Sequence, residues 1–385
     1  MPQKSLPIFD GLKRWLQTGV TLLLLVSLSI SLCGAGWNFL GLGSSGRESR
    51  LPSGNAITDA KALLRYALPI DNEPVRELQQ SLEDISQEFR SNRRWSAISG
   101  DISKAALILT DHKSELLASV PEERKAKAEA LLTDLQASIA DLRTTLEAKD
   151  KEQILEKRSQ TLDLVSELEE SMVQEFPYQI PAEYANLPQL KGRATVEMTT
   201  NKGVITIVVD GYSAPITAGN FVDLVQRGFY NGLPFIRAEE SYYLQSGDPP
   251  GPEDGFIDPA TGEYRAIPLE ILVRGDQAPT YGITLEDAGR FREQPVLPFS
   301  AYGAVAMARP EFETNRGSSQ FFFFLFDAEL TPPGLNLLDG RYAIFGYVTK
   351  GKEVLDQLKE GDKIESAKVI AGAENLVEPQ VAQAS

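Results

Sequence analysis

The segment ATVEMTTNKGVITIVV, Ala194 to Val209, alternates apolar and polar side chains on either side of a short polar break. Alternation with a period of two puts the apolar side chains on one face of an extended chain, which is typical of a half-buried β-strand. The break, Asn201 to Gly203, has the residue types of a tight turn. The segment therefore predicts a β-hairpin, and Arg193 is the point where β periodicity begins.

Downstream of the hairpin, the sequence predicts one helix and a series of short strands. Residues Pro215 to Arg227 have helical spacing, with apolar side chains at Phe221, Leu224 and Val225. Short apolar runs then recur as far as Val369, separated by glycine and proline. We therefore expect residues 192–371 to form a mostly β domain, a closed antiparallel barrel with capping helices, followed by a tail at 372–385.

Upstream of the hairpin, the sequence predicts a bundle of helices. Apolar residues recur there at intervals of three and four, which places them on one face of each helix. They are Leu78, Leu82, Ile85 and Phe89, then Leu131, Leu135, Ile139, Leu142 and Leu146, and then Leu155, Leu162, Val165, Leu168 and Met172. Three prolines in residues 177–191 forbid a continuous helix and predict a connector. The expected fold is multidomain α+β, with the bundle at residues 56–176.

The first 45 residues have the pattern of an export signal. Lys4, Lys13 and Arg14 precede an apolar stretch from Val20 to Leu32, and small residues follow in two places where cleavage could occur. An uncleaved membrane anchor is the alternative, and contact with a membrane is expected only through this segment if it is retained. The sequence predicts an exported protein.

Composition excludes several classes of function. The chain has 38 Lys and Arg against 54 Asp and Glu, a net charge of −16, which opposes binding to nucleic acid. Its single cysteine, Cys33, and single histidine, His112, exclude a disulfide framework, zinc-finger spacing and a Ser-His or Cys-His catalytic pair. Any catalysis must proceed without thiolate or imidazole, and no cofactor or metal is expected.

Five segments of the second domain form an ordered pattern. They are APITAGNFVDLVQRGFYNGLPFIR ending at Arg237, YYLQSGDPPG from Tyr242, GAVAMA from Gly303, NRGSSQFFFF from Asn315 and LLDGRYAIFGYVTKG from Leu337. With these segments the domain resembles a cyclophilin, a peptidyl-prolyl cis-trans isomerase. The similarity runs in order from Arg193 to Val369, which makes it more specific than a single motif. The resemblance implies a cyclophilin-like barrel that binds proline-containing polypeptide segments.

The order of the domains narrows the resemblance. An export signal, an acidic helical bundle and a divergent C-terminal cyclophilin are similar to the multidomain cyclophilins of the thylakoid lumen in chloroplasts and cyanobacteria. That resemblance implies a bundle packed against the barrel, and a role in assembling membrane complexes, with photosystem II subunits as partners. It also implies the thylakoid lumen as the location, with the periplasm as the alternative.

The resemblance assigns the catalytic role to Arg237. Amide resonance gives the X–Pro bond a rotational barrier of roughly 18–20 kcal/mol, so catalysis needs that resonance weakened and the proline held. A guanidinium can hydrogen-bond the proline nitrogen once the amide twists, which favours the twisted transition state. This chemistry needs no nucleophile, metal or general base.

The same match supplies the expected substrate-binding residues. Phe322 is expected to form the floor of the proline pocket, Leu338 to line it and Gln245 to orient the peptide. The full set is Phe235, Tyr242, Tyr243, Gln245, Gln320, Phe322, Leu337, Leu338 and Tyr342.

The sequence departs from the cyclophilin pattern at several positions. Leu337 stands where many members have a tryptophan that binds cyclosporin, and Tyr342 and Ile236 each replace a histidine. Residues 309–313 replace and lengthen the segment that usually pairs with the substrate backbone. Residues 255–297 form a long insertion, which we expect to be an added loop near the groove.

These departures leave two alternatives to an active isomerase. The chain could be a catalytically weak or inactive scaffold that retains the barrel for protein–protein contacts. The bundle could also mask the groove until a partner exposes it.

Overall fold

The structure is a computed structural model that describes residues 57–90, 95–239, 242–259, 261–326 and 336–379. All of them belong to one compact unit, Arg50–Ser385. The expected export segment at residues 1–45 lies outside the described residues, as does the end of the tail from residue 380. Within the described ranges, none of the helices combines the length and the apolar character needed to span a bilayer.

The first part of the chain is helical. Its helices are α1 Ala60–Ala67, α2 Glu73–Arg90, α3 Trp95–Asp111, α4 Lys113–Ala118, α5 Lys125–Ala148 and α6 Lys151–Met172. Asp59 and Asp150 act as N-caps, because their carboxylates accept the amide hydrogens of Ala62 and Gln153 at the starts of α1 and α6. Helices α2 to α6 bury their apolar stripes in one shared core, which includes the predicted residues Leu82 and Leu135.

The second part of the chain is dominated by an eight-stranded antiparallel sheet within the described residues. Its strands are β2 Arg193–Thr200, β3 Gly203–Asp210, β4 Phe235–Glu239, β5 Tyr243–Ser246, β8 Ala304–Met307, β9 Phe321–Phe324, β10 Ile344–Lys350 and β11 Ile364–Ala371. Their order in the sheet is β11-β2-β3-β10-β8-β9-β5-β4. The predicted hairpin is β2 and β3, paired in register from Arg193 opposite Asp210 to Thr200 opposite Gly203.

Backbone hydrogen bonds join the two ends of this sheet. A bridge links Pro234 to Lys363, and the amides of Phe235 and Ile364 donate to the carbonyls of Asp362 and Leu233 at 2.8 and 2.9 Å. These contacts lie beside β4 and β11, the two strands at the ends of the sheet order. The sheet therefore closes on itself, as expected for a barrel.

The two faces of the barrel have different partners. Inward side chains such as Ile207 and Phe345 form one core with helix α7, Pro215–Gln226, while a small helix α8, Lys352–Leu355, lies near the hairpin. Outward side chains, among them Phe322 and Phe324, form a separate cluster that includes four apolar residues of helix α1. The outer cluster adjoins the proposed substrate pocket, so α1 lies close to the functional face.

Helix α1 contacts both parts of the chain. Its apolar side packs on the barrel, whereas its polar side faces the bundle through Lys61 to Asp163 at 2.7 Å and Arg65 to Glu83 at 2.8 Å. A further ion pair joins Arg193 of the barrel to Glu170 of α6 at 3.1 Å. The bundle and the barrel are thus in contact, and α1 belongs as much to the barrel as to the bundle.

The insertion at residues 255–297, which the sequence predicts to be an added loop near the groove, is packed against the barrel domain. Glu270 is buried and accepts hydrogen bonds from the amides of Ile216 and Thr217, at the N-terminus of α7. Burial raises the pKa of Glu270 to about 7, although these hydrogen bonds oppose the shift. The short strands β6, Glu270–Ile271, and β7, Thr280–Tyr281, pair within the insertion.

The connector and the tail are held together by a small sheet. Strand β1, Gln189–Leu190, pairs with β12, Leu376–Val377. One strand lies in the predicted connector and the other in the predicted tail, so the two segments that flank the predicted barrel domain are hydrogen-bonded to each other.

Candidate active site

Three predicted site residues and one further residue form a row across four adjacent strands. Arg237 on β4 pairs with Gln245 on β5, Gln245 pairs with Phe322 on β9, and Phe322 pairs with Ala306 on β8. Directly paired residues of an antiparallel sheet project from the same face, so these side chains point to the outer face of the barrel. The row brings a cation, an amide and an aromatic ring together from distant parts of the sequence.

A cavity of about 340 Å³ opens beside this row. Its lining residues include three arginines, a pair of glutamines and several aromatic side chains. They are Arg237, Tyr242, Tyr243, Gln245, Asp254, Tyr264, Ala308, Arg309, Pro310, Arg316, Ser318, Gln320, Phe322, Leu338 and Tyr342. The volume is within the range of small-ligand sites.

Phe322 forms the floor of the cavity and is held by aromatic contacts on several sides. The Tyr342 ring meets it edge-on with centroids 5.5 Å apart, and the Tyr243 ring lies 6.0 Å away. From below, Phe299 stacks parallel to it at 6.0 Å. Such contacts leave the floor little freedom to move, which favours binding of a rigid apolar ring.

Two glutamines form the polar side of the cavity. The Gln245 amide donates to the Gln320 carbonyl oxygen at 2.6 Å, and the Gln320 amide donates to the carbonyl of Asp254 and the carboxylate of Asp248, at 2.8 and 3.1 Å. Burial and the neighbouring Asp254 raise the pKa of Asp248, although the hydrogen bond from Gln320 lowers it. These hydrogen bonds fix the orientation of both side-chain amides, which groups that align a peptide require.

Arg237 places its guanidinium over the Tyr243 ring, with its central carbon 5.1 Å from the ring centroid. The side chain is exposed at the rim of the cavity. A position over an aromatic face restricts the guanidinium through cation–π attraction. The guanidinium is thus positioned beside an apolar pocket, which is the arrangement that amide rotation requires.

The structure gathers most of the expected substrate-binding residues but places two of them elsewhere. Phe235 is only 1% exposed and packs inside the barrel, because a register shift between Phe235 and Arg237 turns these neighbours to opposite sides of the sheet. Leu337 is 87% exposed and does not line the cavity. Tyr242, Tyr243, Gln245, Gln320, Phe322, Leu338 and Tyr342 all line it.

Other lining residues were not identified from the sequence. Asp254 lies three residues after the YYLQSGDPPG segment and Tyr264 lies in the insertion, and no sequence pattern marks a site at either position. Arg309 and Pro310 belong to the stretch that departs from the cyclophilin pattern, and that departure could have marked them. The Arg309 guanidinium lies over the Tyr342 ring at 5.1 Å, and burial lowers its pKa.

The arrangement can bind and twist a peptide but has no evident covalent chemistry. An apolar floor can accept a ring, fixed amides can align a peptide, and the guanidinium of Arg237 at the rim can donate a hydrogen bond to an amide nitrogen that has lost its resonance. Among the described residues, no group of three or more His, Cys, Asp or Glu side chains could hold a metal ion.

Comparison with known proteins gives matches to both parts of the chain. The family model for the PsbQ-like domain of CYP38-like peptidyl-prolyl cis-trans isomerases matches residues 59–173. The model for cyclophilin-type peptidyl-prolyl cis-trans isomerases matches residues 195–375.

Individual relatives extend the similarity over nearly the whole chain. A Synechocystis protein, named as a thylakoid lumen peptidyl-prolyl cis-trans isomerase, is 60% identical over 95% of this chain and 96% of its own length. The chloroplastic isomerase CYP38 of Arabidopsis thaliana is 45% identical, with 86% of this chain and 78% of the relative covered. Among solved structures, a cyclophilin-type isomerase of Cryptosporidium parvum is 22% identical, with a TM-score of 0.34, and covers 46% of this chain and 98% of its own.

Proposed function

Since the chain belongs to the cyclophilin-type peptidyl-prolyl cis-trans isomerases, we propose that the cavity beside Arg237 is its active site. The row of Arg237, Gln245 and Phe322 across three neighbouring strands supports this assignment. The proline ring lies on Phe322, and the guanidinium donates to the proline nitrogen as the amide twists. Gln245 and Gln320 hold the flanking backbone.

Catalysis in this proposal is electrostatic. The planar amide has its nitrogen lone pair delocalised, so Arg237 gains a good acceptor only after rotation. An interaction that strengthens in the transition state lowers the barrier, whereas equal binding of both states does not. Removal of one such donor typically costs about 10²–10³ in kcat.

Isomerisation of an Ala-Pro peptide by the full chain, followed by NMR exchange, tests the assignment. We expect Arg237→Ala to lower kcat/KM by about two orders of magnitude. Arg237→Lys should recover part of the activity, since it keeps the charge without the planar fork. The matched control is Arg292→Ala, which removes another exposed arginine outside the cavity. Equal activity in wild type and Arg237→Ala would overturn the assignment.

The same measurements address the scaffold alternative. Peptide binding to the cavity without exchange above the spontaneous rate, in wild type and both variants, would identify a binding protein with a cyclophilin fold.

We also propose that the chain is exported through its N-terminal segment and acts in the thylakoid lumen on photosystem II subunits. The names of the two relatives, one of the thylakoid lumen and one of the chloroplast, support the compartment. The description of the N-terminal domain as PsbQ-like and the layout of signal, bundle and barrel support the partner class. N-terminal sequencing of the protein isolated from thylakoids tests export, and a start at Met1 would contradict signal cleavage.

Peptides from lumenal loops test the partners. We expect faster X–Pro exchange in loops of photosystem II subunits than in loops of other thylakoid complexes. Equal acceleration of both sets would argue against selective action on photosystem II.

A further inference from the structure

The wall of the candidate active site carries more positive than negative charge. Among the described residues that line the cavity, the guanidiniums of Arg237, Arg309 and Arg316 stand against one carboxylate, that of Asp254. The whole chain is acidic, with a net charge of −16. The cavity is therefore a positively charged recess in an acidic protein, and such a local field influences which polypeptides bind there.

Arg309 lies on the other side of Phe322 from Arg237 in the order of the strands. Arg237 is on β4 and Phe322 on β9, whereas Arg309 follows the end of β8, the strand beyond β9. The Arg309 guanidinium lies over the Tyr342 ring at 5.1 Å, and that ring meets Phe322 edge-on at 5.5 Å. Arg309 is thus a second cation beside the proline floor, separate from the one assigned to amide rotation.

The half-buried charge of Arg309 is held by carbonyl groups. Its guanidinium donates to the carbonyls of Pro310 and Glu311, each at 2.8 Å, and to that of Arg341 at 2.7 Å. In the ranges that the structure describes, no carboxylate oxygen lies within 4.0 Å of it. Burial lowers the pKa of Arg309, although Asp287 and Glu311 at longer range oppose this shift. A carboxylate brought in from outside would therefore stabilise the charged guanidinium.

The other two cations of the wall are engaged differently. Arg316 pairs with Glu313 at 3.3 Å, so a carboxylate is already beside it. Arg237 stands at the position assigned to the proline nitrogen, where the proposed function places a client amide. Arg309 is therefore the wall cation best suited to attract a carboxylate of the client.

We propose that the site prefers clients with an aspartate or glutamate close to the proline, and that Arg309 is the residue that determines this preference. The proposal rests on the proposed function, because the proline must lie on Phe322 for the acidic side chain to approach Arg309. The Tyr342 ring contacts both, and an extended chain advances about 3.3 Å per residue, so the acidic residue lies within about three residues of the proline. The same charge disfavours a lysine there.

Isomeric peptides test this preference on the full chain. One aspartate is moved through the three positions before and the three after an Ala-Pro pair, and an asparagine series gives the uncharged reference at each position. Because all the aspartate peptides have the same net charge, repulsion by the acidic protein acts on them alike. We expect the ratio of the asparagine Kd to the aspartate Kd, from NMR titration, to peak at one position or two adjacent ones, roughly fivefold above the rest. The peak should shrink at high salt.

Variants then assign the peak to Arg309. Arg309→Gln should flatten it, whereas Arg309→Lys, which keeps the charge, should retain most of it. Loss of the hydrogen bonds to the loop carbonyls affects aspartate and asparagine peptides alike, so it cancels in the ratio. Arg292→Gln removes an exposed arginine that does not line the cavity and should leave the peak unchanged.

Three results would overturn the proposal. They are the absence of a peak in wild type, a peak that survives Arg309→Gln, and a peak that Arg316→Gln removes as completely as Arg309→Gln does. The last result would assign the preference to the field of the whole cavity and not to Arg309.

The outcome is separable from that of the proposed function. In Arg237→Ala, the peak should persist even though exchange is lost. A peak in wild type without exchange would keep the preference and reject the proposed catalysis, whereas normal exchange without a peak would do the reverse. Failure of every peptide to bind would reject both.

Discussion

The rings of Phe299 and Phe322 lie parallel, with planes 4° apart and centroids separated by 6.0 Å. Both rings belong to the outer cluster that helix α1 covers, and of the two only Phe322 lines the cavity. The amide of Phe299 donates to the carboxylate of Asp339 at 2.8 Å, which fixes its backbone. The floor of the cavity is thus supported by a second aromatic layer beneath it.

Phe299→Leu should weaken peptide turnover while the protein remains folded. A smaller, non-planar side chain removes the stacking support, and each 1.4 kcal/mol of lost transition-state stabilisation corresponds to about tenfold in rate. We expect a severalfold fall in kcat/KM, measured by NMR exchange. The matched control is Phe323→Leu, on the inner face of the same strand as Phe322. A similar fall in both variants would indicate general destabilisation instead of support of the floor.

Leu63→Ala should destabilise the protein by about 2–5 kcal/mol, the usual cost of deleting a buried leucine side chain. Leu63 is 1% exposed and lies in the cluster shared by α1 and the barrel. Denaturant unfolding measures the loss. Leu107→Ala is the control, since Leu107 is 60% exposed on α3 and its loss should change stability by no more than about 0.5 kcal/mol. Equal effects would contradict the packing of α1 on the barrel.

Glu169→Gln should stabilise the protein at alkaline pH. Burial raises the pKa of Glu169 to about 8, against the attraction of Arg76, and one of its carboxylate oxygens has no hydrogen-bond partner among the described residues. The unfolded chain loses this proton near its ordinary pKa of 4.5, whereas the folded chain keeps it until about pH 8. The stability gained from the raised pKa of Glu169 is therefore fully present below pH 4.5 and is lost as the pH rises to about 8.

A neutral glutamine removes that dependence. We expect wild type and Glu169→Gln to have similar stability at pH 4.5, and the variant to be more stable by on the order of a few kcal/mol at pH 9. Denaturant unfolding at both pH values gives the two differences. Glu167→Gln, at an exposed position of the same helix, should show no such divergence, and parallel pH profiles for wild type and Glu169→Gln would refute the argument.

Arg309→Lys should raise the KM for peptides more than it lowers kcat. The guanidinium joins carbonyls of its own loop to the carbonyl of Arg341, and the single ammonium of lysine cannot reach all of them. The loop and the wall at Tyr342 then lose their common brace. Steady-state exchange measurements separate the two constants. Arg341→Lys, whose side chain pairs with Glu286 in an exposed ion pair, is the control, and a change confined to kcat would contradict the bracing role.

Much of the fold was predictable from periodicity. The hairpin at Ala194 to Val209 and the apolar stripes of the bundle depend on local spacing, and the structure confirms both. The packing of α1 on the barrel as well as on the bundle was not predictable from local spacing. A short amphipathic helix does not specify which of two apolar surfaces its stripe will cover.

The candidate site was predictable only in part. The matched segments assign Arg237, Gln245 and Phe322 to one predicted site, and in the structure these residues are paired across three neighbouring strands. They did not reveal the register shift that sends Phe235 into the barrel interior, because a bulge depends on pairing between strands. Nor could they foresee that the insertion would cap α7 through Glu270 and bring Tyr264 to the cavity.

The position of α1 also sets the timing of folding during synthesis. The Ser300 hydroxyl donates to the Ile57 carbonyl across 243 residues of sequence, just before α1 begins. At translation rates of about 5–20 residues per second, roughly ten to fifty seconds separate the two ends of this contact. The bundle can complete its own core in that interval, whereas the apolar side of α1 waits for the barrel. The apolar side of α1 therefore stays uncovered until the barrel residues that it contacts, as far as Tyr347, have been synthesised.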